Sequence, residues 1–224
     1  MEGITRLAAV TYAALTPNMQ GYERAMAARA DEIAVFGAAS EGFSQNNINC
    51  SIAESLERFK PVVDAARAAG VPVRGYVSCV THCPYDGPTP PESVARVAAA
   101  LMDMGCYQIS LGETLGAATP EAISAMLDAV LAVVPARCLA GHFHDTGGRA
   151  LDNIAVSLER GLRVFDSALA GLGGCPYAPG AKGNVATEAV VTLLHERGFE
   201  TGLDRDRLAH ASAFAQSLRK GGGS

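Results

Sequence analysis

A parallel α/β barrel of the (β/α)8 TIM type, with about six of its eight βα units present, is the fold class this sequence predicts. Strand-like and helix-like segments alternate with a period of about 30 residues, the pattern of βα units joined into a parallel sheet. The polar, glycine-rich stretches 37–49, 78–90, 112–118, 144–148 and 171–183 all follow strands, at the end of a parallel barrel where sites are built. The returning connections, such as Ala69-Gly70-Val71 and Gly161-Leu162, are short. With 224 residues, 49% of them apolar, the chain can bury one substantial core. One domain over 1–218 is expected, with 219–224 (RKGGGS) a flexible tail.

The elements follow in order. A strand over 7–15 precedes a helix over 21–30, and a strand over 32–37 precedes a helix over 52–69, which Ser51 and Glu54 open as a capping box. A strand over 73–78 leads to a helix over 91–104, with Thr89 as N-cap and Glu92 three residues on. Strands over 107–111, 139–144 and 163–169 lead to helices over 120–134, 150–160 and 187–195, and a helix over 206–218 closes the chain. Residues 1–6 read as the end of a helix, so two preceding strands are expected to be missing and both sheet edges to carry unpaired backbone groups.

A net charge of −5 with no basic cluster argues against nucleic acid and anionic membrane surfaces and for a small-molecule ligand. No apolar run approaches the roughly 18 residues of a membrane span, and no charged-then-apolar leader opens the sequence. The six cysteines form no CxxC pair and read as reduced thiols in a chain too large to need disulfides. A reducing compartment follows: cytoplasmic of bacterial type, with the mitochondrial matrix as the alternative if the N-terminus is missing.

Chemistry concentrates near the C-terminus. In a strand, residues two apart share a face, so His142 and His144 present two imidazoles together at a strand's C-terminal end. Metal ligation and a pair of half-buried, hydrogen-bonded histidines are both open on spacing alone. The turn Asp145-Thr146-Gly147-Gly148 shifts the balance to ligation, because it leaves the pair accessible to a substrate. Cys175 lies on the glycine- and proline-rich loop 171–183 at the site end, whereas Cys106 and Cys138 read as small buried hydrophobes. Asn184 ends that loop, either as a plain N-cap or as an amide oxygen for a hard cation. Two imidazoles and one oxygen suit Mg2+ or Mn2+ with positions open for substrate oxygens. His82, between Cys79 and Cys83, lacks the paired spacing of a structural zinc site, and His195 and His210 read as surface or packing residues in the terminal helices.

HFHDT, GGCPYAPGAKGNVATE, SEGFSQNNINCSIAESLERF, RGYVSC, CPYDG and ISLGETLG together resemble the hydroxymethylglutaryl-CoA lyase family, from Thr11 to about Gly202. The HxH element alone is shared with related metal-dependent aldolases and acyl-CoA condensing enzymes on the same barrel; the cysteine loop discriminates. The resemblance implies that His142, His144 and Asn184 ligate a divalent metal and that Cys175 exchanges a proton. The implied reaction is retro-Claisen cleavage of an acyl-CoA substrate, 3-hydroxy-3-methylglutaryl-CoA, to acetoacetate and acetyl-CoA, with His142 also a partner in proton removal and a homodimer allowed. Glu113 stands where the family carries aspartate, as a supporting or catalytic carboxylate or a solvated loop acid. Gly147 stands where it tends to have tyrosine, which implies a more open wall. Asn47, Asn49, Ser78 and Arg74, at strand or loop ends facing the same mouth, are candidate substrate contacts, with packing the alternative role.

The family's first strand carries adjacent arginine and aspartate, and its second strand a glutamate; none has a counterpart here. Loss of one oxyanion-stabilising donor commonly costs about 100-fold in rate, so little activity is expected of the chain as it stands. Two other readings remain open: a related aldolase or acyl-CoA lyase with another substrate, motivated by Glu113 and Gly147, and a catalytically silent fragment that pairs its strand edges with another chain.

Overall fold

The computed structural model describes residues 3–173 and 183–221. Six parallel strands, β1 (Ala13–Leu15), β2 (Glu32–Ala38), β3 (Val73–Ser78), β6 (Gln108–Glu113), β7 (Leu139–Phe143) and β8 (Phe165–Asp166), lie side by side in chain order. They form a half-barrel, with helices on its outer face. A separate two-stranded antiparallel ribbon, β4 (His82–Cys83) with β5 (Gly87–Pro88), projects after β3.

Helix spacing explains the outer layer. In α3 (Ile52–Ala68) the buried apolar residues are Phe59, Val62, Val63 and Ala66; in α4 (Pro91–Met104) they include Val94, Val97, Ala98 and Leu101; in α5 (Pro120–Leu131) they are Ile123, Met126, Leu127 and Val130. Each set repeats i, i+3, i+4, i+7, one stripe of a helix laid on the sheet. The strands answer with period two. Val73, Gly75 and Val77 of β3 are buried, while Arg74, Tyr76 and Ser78 between them face the concave side. Gly75 gives α4 room, since a Cβ there would lie 2.9 Å from Ile109 Cδ1 and 3.2 Å from Leu101 Cδ1. Helices α1 (Met19–Ala27), α6 (Ala150–Glu159), α7 (Thr187–Glu196) and α8 (Arg205–Gly221) complete the layer.

Several boundaries depart from expectation. The first strand is confined to Ala13–Leu15. Ahead of it, Arg6 pairs with Asp31 and lies over the Tyr12 ring, and the Asp31 carboxylate also accepts from the Tyr12 backbone, so residues 6–12 are held mainly by side chains, with a single backbone bond to the next strand's start from the Asp31 amide to Tyr12 O. Gly3 and Ile4 form a turn and a bend and residues 5–6 are irregular where a helix end was expected over 1–6, residues 1–2 lying outside the described ones. Residues 41–48, read as loop, form helix α2 (Glu41–Ile48). Its amide at Gly42 donates to Asp86, its Glu41 carboxylate accepts from the Ile52 amide, and Asn49 caps its C-terminus at φ 51°. Distant partners stabilise this helix, which has little apolar stripe of its own. Helix α4 starts at Pro91 with Pro90, not Thr89, as N-cap, because the residue before a proline is kept out of the helical region. Helical backbone runs to Gly221, three residues into the stretch 219–224 expected to be a flexible tail.

The capping box behaves as expected: Ser51 Oγ accepts from the Glu54 amide, and Glu54 accepts from the Ser51 amide at 2.8 Å. Ser51→Ala should lower unfolding stability by about 1 kcal/mol, read as a lower urea midpoint at unchanged slope; an unmoved midpoint would show that the cap contributes nothing.

Candidate active site

The concave face of the half-barrel encloses a cavity of about 570 Å³. Its lining takes alternate residues of β2 (Ala34, Phe36) and chiefly of β3 (Arg74, Tyr76, Ser78, with Val77 also touching it), together with the three residues of β1, Gly112 of β6, His142 of β7, Asn47 and His144. Register sets Ser78, Gly112 and His142 at one level across three strands. Gly112, having no side chain, leaves the space beside His142 open.

The His142 and His144 rings stand side by side, centroids 5.6 Å apart. Burial lowers the pKa of His144, and His142 adds to the effect while the Thr114 backbone opposes it. His144 is therefore a neutral imidazole at neutral pH, the form a metal ligand requires. Its Nδ1 is buried without a protein hydrogen bond of normal geometry.

Asn184 reaches the same place because residues 183–185 run alongside 143–145. The Asp145 amide donates to Gly183 O at 2.8 Å, the Val185 amide to Phe143 O at 3.1 Å, and His144 and Asn184 form an antiparallel bridge. Asn184 Nδ2 donates to Leu172 O at 3.0 Å, which leaves Oδ1 as the acceptor atom. Gly173, at φ +95°, makes this possible; a Cβ there would lie 2.6 Å from Asn184 Nδ2. Asp145, the acid after the histidines, is occupied as a helix cap, accepting from the Ala150 amide at 3.1 Å.

The structure also gathers residues that sequence reasoning did not single out. Asp166 of β8 lies between His142 Nδ1 (3.3 Å), Arg74 NH1 (2.8 Å) and Ser110 Oγ (2.7 Å). Burial pushes its carboxyl up, but His142, Arg74 and Ser110 outweigh this and hold it at about 2. Arg74 NH1 also donates to Tyr76 OH at 2.8 Å, and the Tyr76 ring meets His142 edge-on at 6.0 Å. Burial, then Asp166, raises the Tyr76 phenol to about 12, so it stays protonated. The signal available in sequence was an acid inside an otherwise apolar strand next to the HxH strand. Glu188, also passed over, accepts from the Ala170 amide at 3.0 Å and holds the turn that leads into the glycine loop.

Other expected residues are placed differently. Arg74 is the second residue of its strand, low in the cavity and engaged by Asp166, rather than at the mouth. Glu113 is fully buried on the opposite side of β6 from Gly112, because strand alternation turns it away from the cavity. Burial pushes its carboxyl up against the lowering effect of the amides of residues 115–118, and it is no solvated loop acid. Asn49 serves as the left-handed cap of α2, while Asn47 and Ser78 do line the cavity. Gly147 does not open a wall: its amide donates to Gly116 O, and a Cβ at 147 would lie 2.7 Å from that oxygen. Cys175 lies outside the described residues. Cys79 and Cys106, pushed to about 12 by burial, are inert thiols at neutral pH.

Among the described residues no three His, Cys, Asp or Glu side chains form a group able to hold a metal. Two imidazoles and the Asn184 amide oxygen nevertheless fit a divalent cation in kind, and His144 Nδ1 is buried without a hydrogen bond of normal geometry.

The chain is similar to named proteins over nearly its whole length. It is 53% identical over 214 residues to the cytoplasmic 3-hydroxy-3-methylglutaryl-CoA lyase of Danio rerio, covering 96% of this chain and 64% of that protein. It is 54% identical over 214 residues to the mitochondrial hydroxymethylglutaryl-CoA lyase of Gallus gallus, covering 96% and 72%. The crystal structure of the HMG-CoA lyase from Brucella melitensis superposes with a TM-score of 0.96 at 64% identity, over 98% of this chain and 77% of that one. The chain thus spans about two thirds of the length of the curated relatives it matches. The HMGL-like family description matches residues 2–215, through the strands that carry both imidazoles and Asp166, and the chain belongs to that family.

Proposed function

We propose that this chain carries the metal-binding side of a 3-hydroxy-3-methylglutaryl-CoA lyase, which cleaves that acyl-CoA to acetoacetate and acetyl-CoA. The observation that carries the reading is the pair of imidazoles opening into the cavity with Asn184 bridged beside them. His142, His144 and Asn184 would hold the cation. A bound divalent cation supplies Lewis acidity, lowering the pKa of the substrate's tertiary hydroxyl. The chain's own groups do the rest. His142 would be the partner in removing the hydroxyl proton only while its Nε2 is not on the cation; the neighbouring C–C bond then breaks as the ketone of acetoacetate forms, and Cys175, on its glycine loop, protonates the carbon of the acetyl-CoA enolate. Ser78 and Asn47 lie where they can contact substrate. Arg74, held by Asp166, and Asn49, a helix cap, support neighbouring structure, and Glu113 steadies the loop after β6.

The hard amide oxygen favours Mg2+ or Mn2+ over softer ions. We further infer one domain over 1–218, corresponding to about six of the eight units of a TIM barrel, able to assemble as a homodimer. The named relatives include cytoplasmic and mitochondrial enzymes; reduced thiols suit either compartment, and we place this chain in a cytoplasm of bacterial type.

Acetoacetate release from 3-hydroxy-3-methylglutaryl-CoA with Mg2+ or Mn2+, from this chain and from a form extended to the length of the relatives, tests the proposal. Release that depends on added metal is expected from the extended form; none from either would point to another substrate. His144→Ala should weaken Mn2+ binding by more than the roughly 10–100-fold typical of losing a supporting residue, and unchanged affinity would remove His144 from the site. Gly173→Ala, which drives a methyl group into Asn184 and strains a backbone at φ +95°, should weaken Mn2+ binding by about 10–100-fold and lower the melting temperature by a few degrees; unchanged Mn2+ affinity would remove Asn184 from the site. Cys175→Ser should lower turnover by about 100-fold or more in an active form; an unaffected rate would exclude the thiol.

A further inference from the structure

We infer that Asp166 is the positioning residue of His142: its carboxylate takes the Nδ1–H of the imidazole and commits the ring to the tautomer whose one lone pair, on Nε2, is left for the cavity. The use of that lone pair rests on the reading of His142 as a metal ligand; the geometry of the pair does not.

Three donors from three strands converge on this carboxylate. Arg74 of β3 donates to Oδ1 at 2.8 Å, and Ser110 of β6 donates to Oδ2 at 2.7 Å. His142 Nδ1 of β7 lies 3.3 Å from the same Oδ2. An ionised carboxylate can only accept, so the nitrogen facing it must carry the proton. The carboxylate itself cannot swing away, because turning it would break the Arg74 and Ser110 bonds in a site where Arg74 is only 11% exposed. On another flank the Tyr76 ring meets the imidazole edge-on, so the ring is held from two directions.

Metal-binding histidines recurrently donate their second N–H to a carboxylate or carbonyl in this way, which raises ligand basicity and fixes direction. Nε2 is then the single atom through which His142 can ligate or accept a proton.

Long-range 1H–15N correlation spectra of the 15N-labelled chain without added metal, in mildly alkaline buffer, test this directly, with the His142 signals identified by their loss in His142→Gln. A protonated, pyrrole-type Nδ1 and an unprotonated, pyridine-type Nε2 are expected; the opposite pattern in the wild-type chain overturns the inference. In Asp166→Asn one amide oxygen faces three donors, so the two tautomers should mix and Mn2+ affinity, read by electron paramagnetic resonance of the free ion, should fall about 10–100-fold. Ser110→Ala, which leaves the carboxylate and Arg74 in place, should retain the wild-type tautomer. Unchanged tautomer and unchanged Mn2+ affinity in Asp166→Asn would reduce Asp166 to a structural role and overturn the inference. If the wild-type chain shows the expected tautomer but His142→Gln binds Mn2+ as tightly as wild type, the ligand reading fails while the positioning of His142 by Asp166 stands. The wild-type spectrum decides even if the Asp166 variant does not fold.

Discussion

Every polar group of the site depends on the burial of one face of a parallel sheet under helices that each offer it a single apolar stripe. Phe59 to Ala66, Val94 to Leu101 and Ile123 to Val130 repeat the same spacing on three successive helices, so the strands beneath them are fixed in register and rotation. A slip of one residue would send Val73, Gly75 and Val77 into the cavity and Arg74, Tyr76 and Ser78 into the core. The energy of burying the one set thereby holds the other in place. Polar side chains that could not stabilise a fold by themselves are aimed at one another with the precision of the sheet.

At the mouth the organising element changes from side-chain packing to close backbone contact. Gly116 and Gly147 let the loops after β6 and β7 touch through a backbone hydrogen bond. Residues 183–185 run against 143–145, and Gly173 leaves room for the Asn184 amide. Asp145 spends its carboxylate on the first turn of α6, which anchors the chain just beyond His144. These are local constraints with one joint result: Asn184, some forty residues from the histidine pair in sequence, is held as a direct neighbour of His144.

The electrostatics follow the same division. At the cavity's side wall, Asp166 gathers Arg74, Ser110 and His142 and remains ionised despite burial, because the partners outweigh desolvation. On the far side of the sheet, Glu113 has burial as its dominant influence, and its carboxyl is pushed upward. A partly buried acid and a fully buried one on adjacent regions of one sheet thus differ in direction of shift because the first faces a cationic and hydroxylic cluster and the second faces loop amides. Only the first is placed to act on an imidazole.

Sequence by itself determined the alternation of strands and helices, the capping box at Ser51 and the pairing of His142 with His144, because each is written in residues close together and follows from local spacing; the family resemblance rested instead on whole motifs such as HFHDT and GGCPYAPGAKGNVATE. It did not reveal helix α2, whose stabilising partners Asp86 and Ile52 lie outside it, nor the shortness of the first strand, since residues 7–12 have strand-like composition but are held by Arg6 and Asp31. Asp166 became significant only when β8 was laid beside β7 and two strands beyond it Arg74 came within reach. Glu113 and Gly147 were misplaced for a related reason: which face a residue takes at a strand's end, and what backbone approaches a glycine, are settled by neighbours distant in the chain. Local periodicity fixes what an element is; contact between elements decides which of its groups meet.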